Sequence, residues 1–161
     1  PCGYYGDITH YCVCTPGQIQ RYLSKISGPL LDRIDIQCEI SPLPFKDLSK
    51  AEQGESSANI RERVLRARHI QTERFKNYPN IHCNAQMSER MIHEFVEPDE
   101  QSLEILRKAM ENLKLSARAY NRILKVARTI ADLEASPKVQ VHHIAEAIGY
   151  RSLDRGDWGE R

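Results

Sequence analysis

SARAYNRILKVARTIADL, residues 116–133, is the stretch whose reading decides how this chain folds. Wound as a helix, it places Ala119, Ile123, Val126, Ala127, Ile130 and Leu133 on one face, the i, i+3, i+4, i+7 spacing of a core-facing helix. Arg118, Arg122 and Lys125 fall within about 60° of one another on the opposite side, since each residue turns roughly 100°. Ser116 stands where an N-cap belongs, its hydroxyl able to accept from a free backbone N–H. A helix built this way touches a core on one side and water or an anion on the other. The basic face alone leaves both options open.

Working outward, the 161 residues are 40% hydrophobic and 28% charged, a globular composition of one ordinary domain or a small domain plus part of another. The net charge of +1 gives no global attraction to nucleic acid. Charge is uneven, however: five arginines and Lys76 lie between Ser57 and Tyr78 against Glu62 and Glu73. No apolar run approaches the 18 or so residues of a membrane span, and no charged-then-apolar leader opens the sequence. Five cysteines, three of them (Cys2, Cys12, Cys14) within the first fourteen residues, suit a reducing compartment better than a disulfide framework. The expectation is a cytoplasmic protein, not membrane-bound, and the abrupt Pro-Cys-Gly-Tyr-Tyr-Gly start reads like the middle of a loop.

Residues 1–14 have no periodicity and read as a cysteine-rich loop. Thr15-Pro16 starts a helix over Gln18 to Ile26, which Ser27-Gly28-Pro29 breaks. Ile34, Ile36, Cys38 and Ile40 alternate with polar residues and suggest a short strand, ended by Pro42 and Pro44. Residues 46–56 are a polar linker, with one helical turn expected near Phe45 to Leu48. Ser56 and Ser57 then start a long helix striped by Ile60, Val64, Ala67, Gln71 and Phe75, stopped by Pro79. Shorter helices follow at Met87 to Val96, from Asp99 (Leu103, Leu106, Met110 and Leu113 inward) and at Val141 to Ile148 (Ile144, Ala145 and Ile148 inward). The expected fold is mainly α, a helical bundle over 57–150 with a frayed tail at 151–161, preceded over 15–45 by a small α/β piece.

The blocks CGYYGD, CVCTPGQIQRYLSKISGPLLDRIDI, GESSANIRERVLRAR, IHCNAQM, LKLSARAYNRILKVARTIADLE and VHHIAEAIGYR occur in the order found in another group of proteins. They resemble the magnesium-chelatase-like branch of the AAA+ ATPases, within it the competence protein ComM family, over residues 1–152. The resemblance implies the C-terminal part of a larger ring-forming ATPase, with 15–45 the end of the AAA+ core and 57–150 its helical lid. It implies ATP and Mg²⁺ as cofactors, neighbouring subunits of a homo-oligomeric ring as partners, and DNA as what the ring acts on. The residues agree in one respect: the sequence has no G-x-x-x-x-G-K-[ST] and no apolar run ending in Asp-Glu. This chain alone is not expected to hydrolyse ATP.

Two arginines correspond to family positions. Arg33, in GPLLDRIDI, matches the arginine finger, which reaches the γ-phosphate held by a neighbouring subunit. Read without the family, it would pair with Asp32 or Asp35 beside a strand. Arg118 matches the sensor-2 arginine, in the first helical turn where phosphate is favoured. Cys2, Cys12 and Cys14 match three members of a C-x-C…C-x-C pattern whose fourth member would precede Pro1. Such thiolates could hold Zn²⁺, with His10 as substitute, or remain unliganded loop thiols. Arg61, Arg66 and Arg68 could contact nucleic acid, yet their helix lacks interleaved aromatics and reads equally well as a solvated face. His142-His143 is a poor metal pair by spacing and reads as two surface histidines. Two rival readings stay open: the ATPase subunit of a magnesium chelatase in tetrapyrrole synthesis, and a stand-alone helical DNA- or protein-binding module.

Overall fold

The computed structural model describes residues 1–7, 9–38, 40 and 54–151. Seven α-helices are found among them: α1 Pro16–Leu23, α2 Gly28–Leu31, α3 Ser57–Phe75, α4 Glu89–Val96, α5 Glu100–Asn112, α6 Ala117–Leu133 and α7 Val141–Gly149. A 3₁₀ turn, Asn84–Gln86, precedes α4. The helix starts follow sequence chemistry closely. Thr15, Ser56, Ser88, Asp99 and Ser116 each accept a backbone N–H of the first turn, relieving donors the helix cannot satisfy itself.

Helix α6 is the centre of the bundle, with α3, α4, α7 and the 3₁₀ turn packed on it and α5 leaning on α7. Its Ile123, Leu124, Ala127, Ile130 and Ala131 meet Phe75 of α3, Ile92 and Val96 of α4, Leu106 of α5, and Ile144 and Ala147 of α7. Full burial of each larger aliphatic or aromatic side chain contributes about 1.5–3 kcal/mol. Phe75, Tyr78 and Phe95 add three edge-to-face ring contacts at centroid distances of 5.7 to 6.5 Å.

A polar network is also buried there. Asp132 of α6 accepts from both Nη atoms of Arg74 (Nη1 at 2.7 Å), from Nε of Arg128 at 3.1 Å and from Nδ2 of Asn84 at 2.8 Å. Arg128 continues to the Ser136 and Pro137 carbonyls at 2.6 and 3.1 Å. Asp132 and Arg128 are almost fully buried, and burial works against the Arg128 charge, lowering its pKa, while Asp132 opposes that.

The connections between the last helices close tightly. The Leu115 N–H bonds the Met110 carbonyl at 3.1 Å and the Ser136 N–H bonds the Ala131 carbonyl at 2.8 Å, each around a left-handed residue, Lys114 (φ 50°) and Ala135 (φ 55°). Glu97, between α4 and α5, is also left-handed at φ 30°.

Several expectations are corrected. The alternating stretch Ile34 to Ile40 forms no strand among the described residues. A strand needs a ladder, and the backbone bonds donated here go elsewhere, from Ile34 N–H to the Leu31 carbonyl at 3.0 Å and from Gln37 N–H to the Tyr150 carbonyl at 2.8 Å. Helix α1 stops at Leu23 rather than Ile26, and Gly28-Pro29 opens a short helix as well as breaking the previous one. The inward face of α5 is shifted: Ser102 and Leu106 are buried while Leu103 is 46% exposed, because α5 is covered from the α7 side. On α7 the buried residues are His143, Ile144 and Ala147, not Ala145. Ile60 and Val64 share the stripe of Ala67, Gln71 and Phe75 yet are over 40% exposed, because α3 outruns the bundle by about two turns. Arg151, expected to open the tail, is buried. The turn near Phe45 to Leu48, most of the 46–56 linker and residues 152–161 lie outside the described residues.

Asp132→Ala leaves the buried Arg128 and the mostly buried Arg74 without their carboxylate and should destabilise the chain by about 3–5 kcal/mol. Urea unfolding followed by circular dichroism measures this. A loss below about 1 kcal/mol, the size of a surface substitution, would contradict the network's role.

Candidate functional site

Helix α6 sorts its basic face into different environments. Lys125 Nζ donates to the Ala85 carbonyl at 2.9 Å, and burial, together with the nearby Arg122 charge, lowers its pKa. Arg122 Nη1 donates to the Arg33 carbonyl at 2.9 Å and to the Asp35 carboxylate. Arg118, in the first turn, is exposed and makes no hydrogen bond or ion pair among the described residues. The core fixes the rotation of α6, so Arg118 is held outward as a free cation at a helix N-terminus, where anions are favoured.

Residues 32–37 dock against the same end of the bundle. Ser116 Oγ, besides capping α6, bonds Asp32 Oδ2 at 3.2 Å; Arg151 donates to the Ile34 carbonyl and lies 3.7 Å from Asp32. Both carboxylates that could have neutralised Arg33 are thus engaged elsewhere. The Arg33 guanidinium is exposed and donates to the Pro29 carbonyl at 3.0 Å. The structure therefore brings Arg33 and Arg118, 85 positions apart by number (118 − 33), to one end of the bundle through Arg122.

The three N-terminal cysteines also converge. Their sulfurs lie within 4.8 Å of one another, Cys2 Sγ is 3.5 Å from Cys12 Sγ, and the Cys2 N–H donates to Cys14 Sγ at 3.0 Å. The Tyr4 N–H, then the Val13 N–H and the neighbouring thiols, bring the Cys2 pKa down to about 6 against the opposing loss of water. For Cys12 the Cys14 N–H favours the thiolate, but loss of water and the other two thiols outweigh it and raise the pKa. Three close sulfurs, one biased toward thiolate, fit three corners of a tetrahedral zinc site. Among the described residues no fourth ligand joins them. His10 stacks on Tyr4 at 4.8 Å and its Nδ1 is held by Thr9 at 2.8 Å, outside the cluster.

On α3, Arg74 belongs to the buried network, Arg63 is clipped to Glu55 by bonds of 2.7 and 3.0 Å, and Arg66 pairs with Glu62 at 3.3 Å. Arg61 and Arg68, seven residues apart and so on one face, are exposed without an ion pair among the described residues.

Of the two histidines read as surface residues, His142 is exposed and His143 is not. His143 is fully buried, and its Nδ1 accepts the Gln140 N–H at 2.9 Å, the cap of α7. Its Nε2 therefore carries the hydrogen and donates to Glu134 Oε2 at 2.9 Å; His142 Nε2 meets the same oxygen at 3.0 Å. A ring locked in that tautomer has no Nε2 lone pair for a metal, so the group reads as a hydrogen-bonded cap rather than a ligand set. Sequence spacing could not show this, because Glu134 approaches from the end of a different helix. Arg151 was missed for the same reason, and Asp32 and Asp35, read from the sequence as partners of Arg33, instead meet Ser116, Arg151 and Arg122.

The helical bundle thus presents, among the described residues, an arginine without an ion pair in the first turn of α6, with an arginine-bearing turn docked beside it. The model of the magnesium chelatase subunit ChlI C-terminal region matches residues 54–151, and that of the magnesium chelatase subunit ChlI matches residues 1–48. The chain belongs to the magnesium chelatase ChlI family and is ComM-like within it. It is 42% identical over 156 residues to competence protein ComM of Haemophilus influenzae, covering 96% of this chain and 29% of that protein. It is 40% identical, over the same shares, to the uncharacterized protein YifB of Escherichia coli, and 33% identical over 140 residues to an uncharacterized Mycobacterium bovis protein (87% of this chain, 27% of that one). The chain thus spans under a third of the length of the curated relatives it matches. No helix among the described residues is long and apolar enough to cross a membrane.

The hydrogen bonds from His142 and His143 hold the Glu134 carboxyl below its ordinary value of 4.5. A depressed carboxylate pKa contributes stability that is present above 4.5 and lost as pH falls through the folded value. Glu134→Gln should therefore lower Tm at pH 6, with the gap closing toward pH 3. Differential scanning calorimetry across that range would show a constant gap if Glu134 had no such linkage.

Proposed function

We propose that this chain is the C-terminal portion of a ring-forming AAA+ ATPase of the ComM type, coupling ATP hydrolysis to remodelling of DNA. In this reading residues 1–14 form the cysteine-rich loop, 15–45 the end of the ATPase core, 46–56 a linker and 57–150 the lid. The observation that carries it is Arg118: a guanidinium without a partner among the described residues, in the first turn of a helix whose rotation the core fixes. That is how a phosphate sensor would be mounted.

Arg118 would contact the phosphates of ATP, which when bound with Mg²⁺ supplies the phosphoryl group transferred to water. Arg33 would reach the nucleotide of a neighbouring subunit. Its exposed side chain, joined among the described residues to one carbonyl and to no carboxylate, supports this. Arg61 and Arg68, with Arg66 beside them, would face DNA. Cys2, Cys12 and Cys14 would hold a structural zinc whose fourth ligand lies elsewhere. Free thiols at all five cysteines support a reducing, cytoplasmic setting.

In the full-length ring, Arg33→Ala should leave ATP binding nearly intact and cut hydrolysis by at least about 10²-fold, since a finger acts on transition-state charge. Arg118→Ala, removing no core surface, should cost under about 1 kcal/mol of stability while weakening the coupling of nucleotide binding to lid movement. Mixing subunits tests the assignment in trans. An Arg33→Ala subunit beside one lacking the phosphate-binding lysine should regain turnover at mixed interfaces. Mixed rings that assemble but stay inactive would remove the finger role.

A further inference from the structure

Arg122 lies one helical turn after Arg118 on α6 and joins the turn that carries Arg33. Its Nη1 donates to the Arg33 carbonyl at 2.9 Å and pairs with Asp35, two residues further along. The bond goes to the backbone of Arg33, not to its guanidinium. The Cα is thereby anchored while the side chain, held by one carbonyl, keeps its reach. Other contacts seat the same turn: Ser116 on Asp32, Arg151 on Ile34 and the Tyr150 carbonyl on Gln37. Arg122 alone links Arg33's own peptide group to the helix of Arg118 among the bonds of the described residues.

We propose that Arg122 is a positioning residue, fixing the turn that carries Arg33 onto the helix that carries Arg118, so that the two arginines move as one body. The proposal rests on the reading of Arg33 as a finger and Arg118 as a sensor. A subunit that senses its own nucleotide through Arg118 would, through Arg122, shift the arginine it offers its neighbour. The Arg122–Asp35 pair is partly exposed, so its contribution is geometric rather than stabilising. Geometry suffices, because a misplacement of about 1 Å can cost about 10²-fold in rate.

The test uses the full-length protein with Arg122→Ala, Arg122→Lys and the double variant Arg33→Ala/Arg122→Ala. Hydrogen exchange at the Arg33, Ile34 and Gln37 amides should rise at least about tenfold in Arg122→Ala, with α6 amides unchanged. Arg122→Lys, whose ammonium can reach both acceptors, should restore most of the protection. Unchanged exchange in Arg122→Ala overturns the proposal. In turnover, Arg122→Ala should lower kcat about tenfold with ATP Kd within about twofold, and the double variant should be no slower than Arg33→Ala. A further tenfold loss in the double variant means independent action and overturns the coupling. If Arg33→Ala keeps full turnover, the finger reading alone falls, and exchange in Arg122→Ala still decides whether Arg122 fixes the turn.

Discussion

The carboxylate of Asp132 accepts from Arg74 of α3, Arg128 of its own helix and Asn84 of the 3₁₀ turn; Asp132, Arg128 and Asn84 are buried, and Arg74 keeps a small exposed edge. Two guanidiniums on one carboxylate are tolerable in a core because the remaining donors also find acceptors: Arg128 on the Ser136 and Pro137 carbonyls, Arg74 on Asn84 Oδ1 at 2.8 Å. Apolar packing would allow α3 to slide along α6 at modest cost, since methyl groups fit several registers. Directional bonds to one carboxylate allow one register. The network thereby fixes where α3 crosses α6 and where the loop into α7 begins.

That register matters at the other end of α6. Ser116, Arg118 and Arg122 project from its first two turns, and their direction follows from how the rest of the helix is seated. The docked turn at 32–37 receives Ser116 and Arg122 from α6 and Arg151 from the end of α7. Position and charge at this end are therefore consequences of packing at the other, about 25 Å away along a 17-residue helix.

The helices were legible in the sequence because cap and period agree: each Ser, Thr or Asp cap named from composition precedes an apolar stripe, and each is a cap in the structure. What was not legible is long-range polar pairing. Arg128 and Asp132 look like a solvated i, i+4 pair, and nothing local distinguishes them from Arg107 and Glu111, which are such a pair. His143 hides for the same reason, since its partner Glu134 lies on the preceding helix. The alternation of Ile34 to Ile40 misled because period two describes side chains, whereas a strand is made by backbone partners. At the candidate site, Arg33 and Arg118 could be singled out from their motifs, but their placement at one end of the bundle could not, because Arg122 and Arg33 are 89 residues apart.

The connections α4–α5, α5–α6 and α6–α7 turn on left-handed residues that are not glycine: Glu97, Lys114 and Ala135. Glycine is the usual occupant of such positions, and a side chain there carries a strain of roughly 1 kcal/mol or more. In exchange the elbow loses compliance, because a Cβ removes most of the backbone freedom that glycine would retain. A domain with three stiff elbows bends poorly between its helices. Torque applied at one face is delivered at the opposite face instead of being absorbed, which is the mechanical property of a lever.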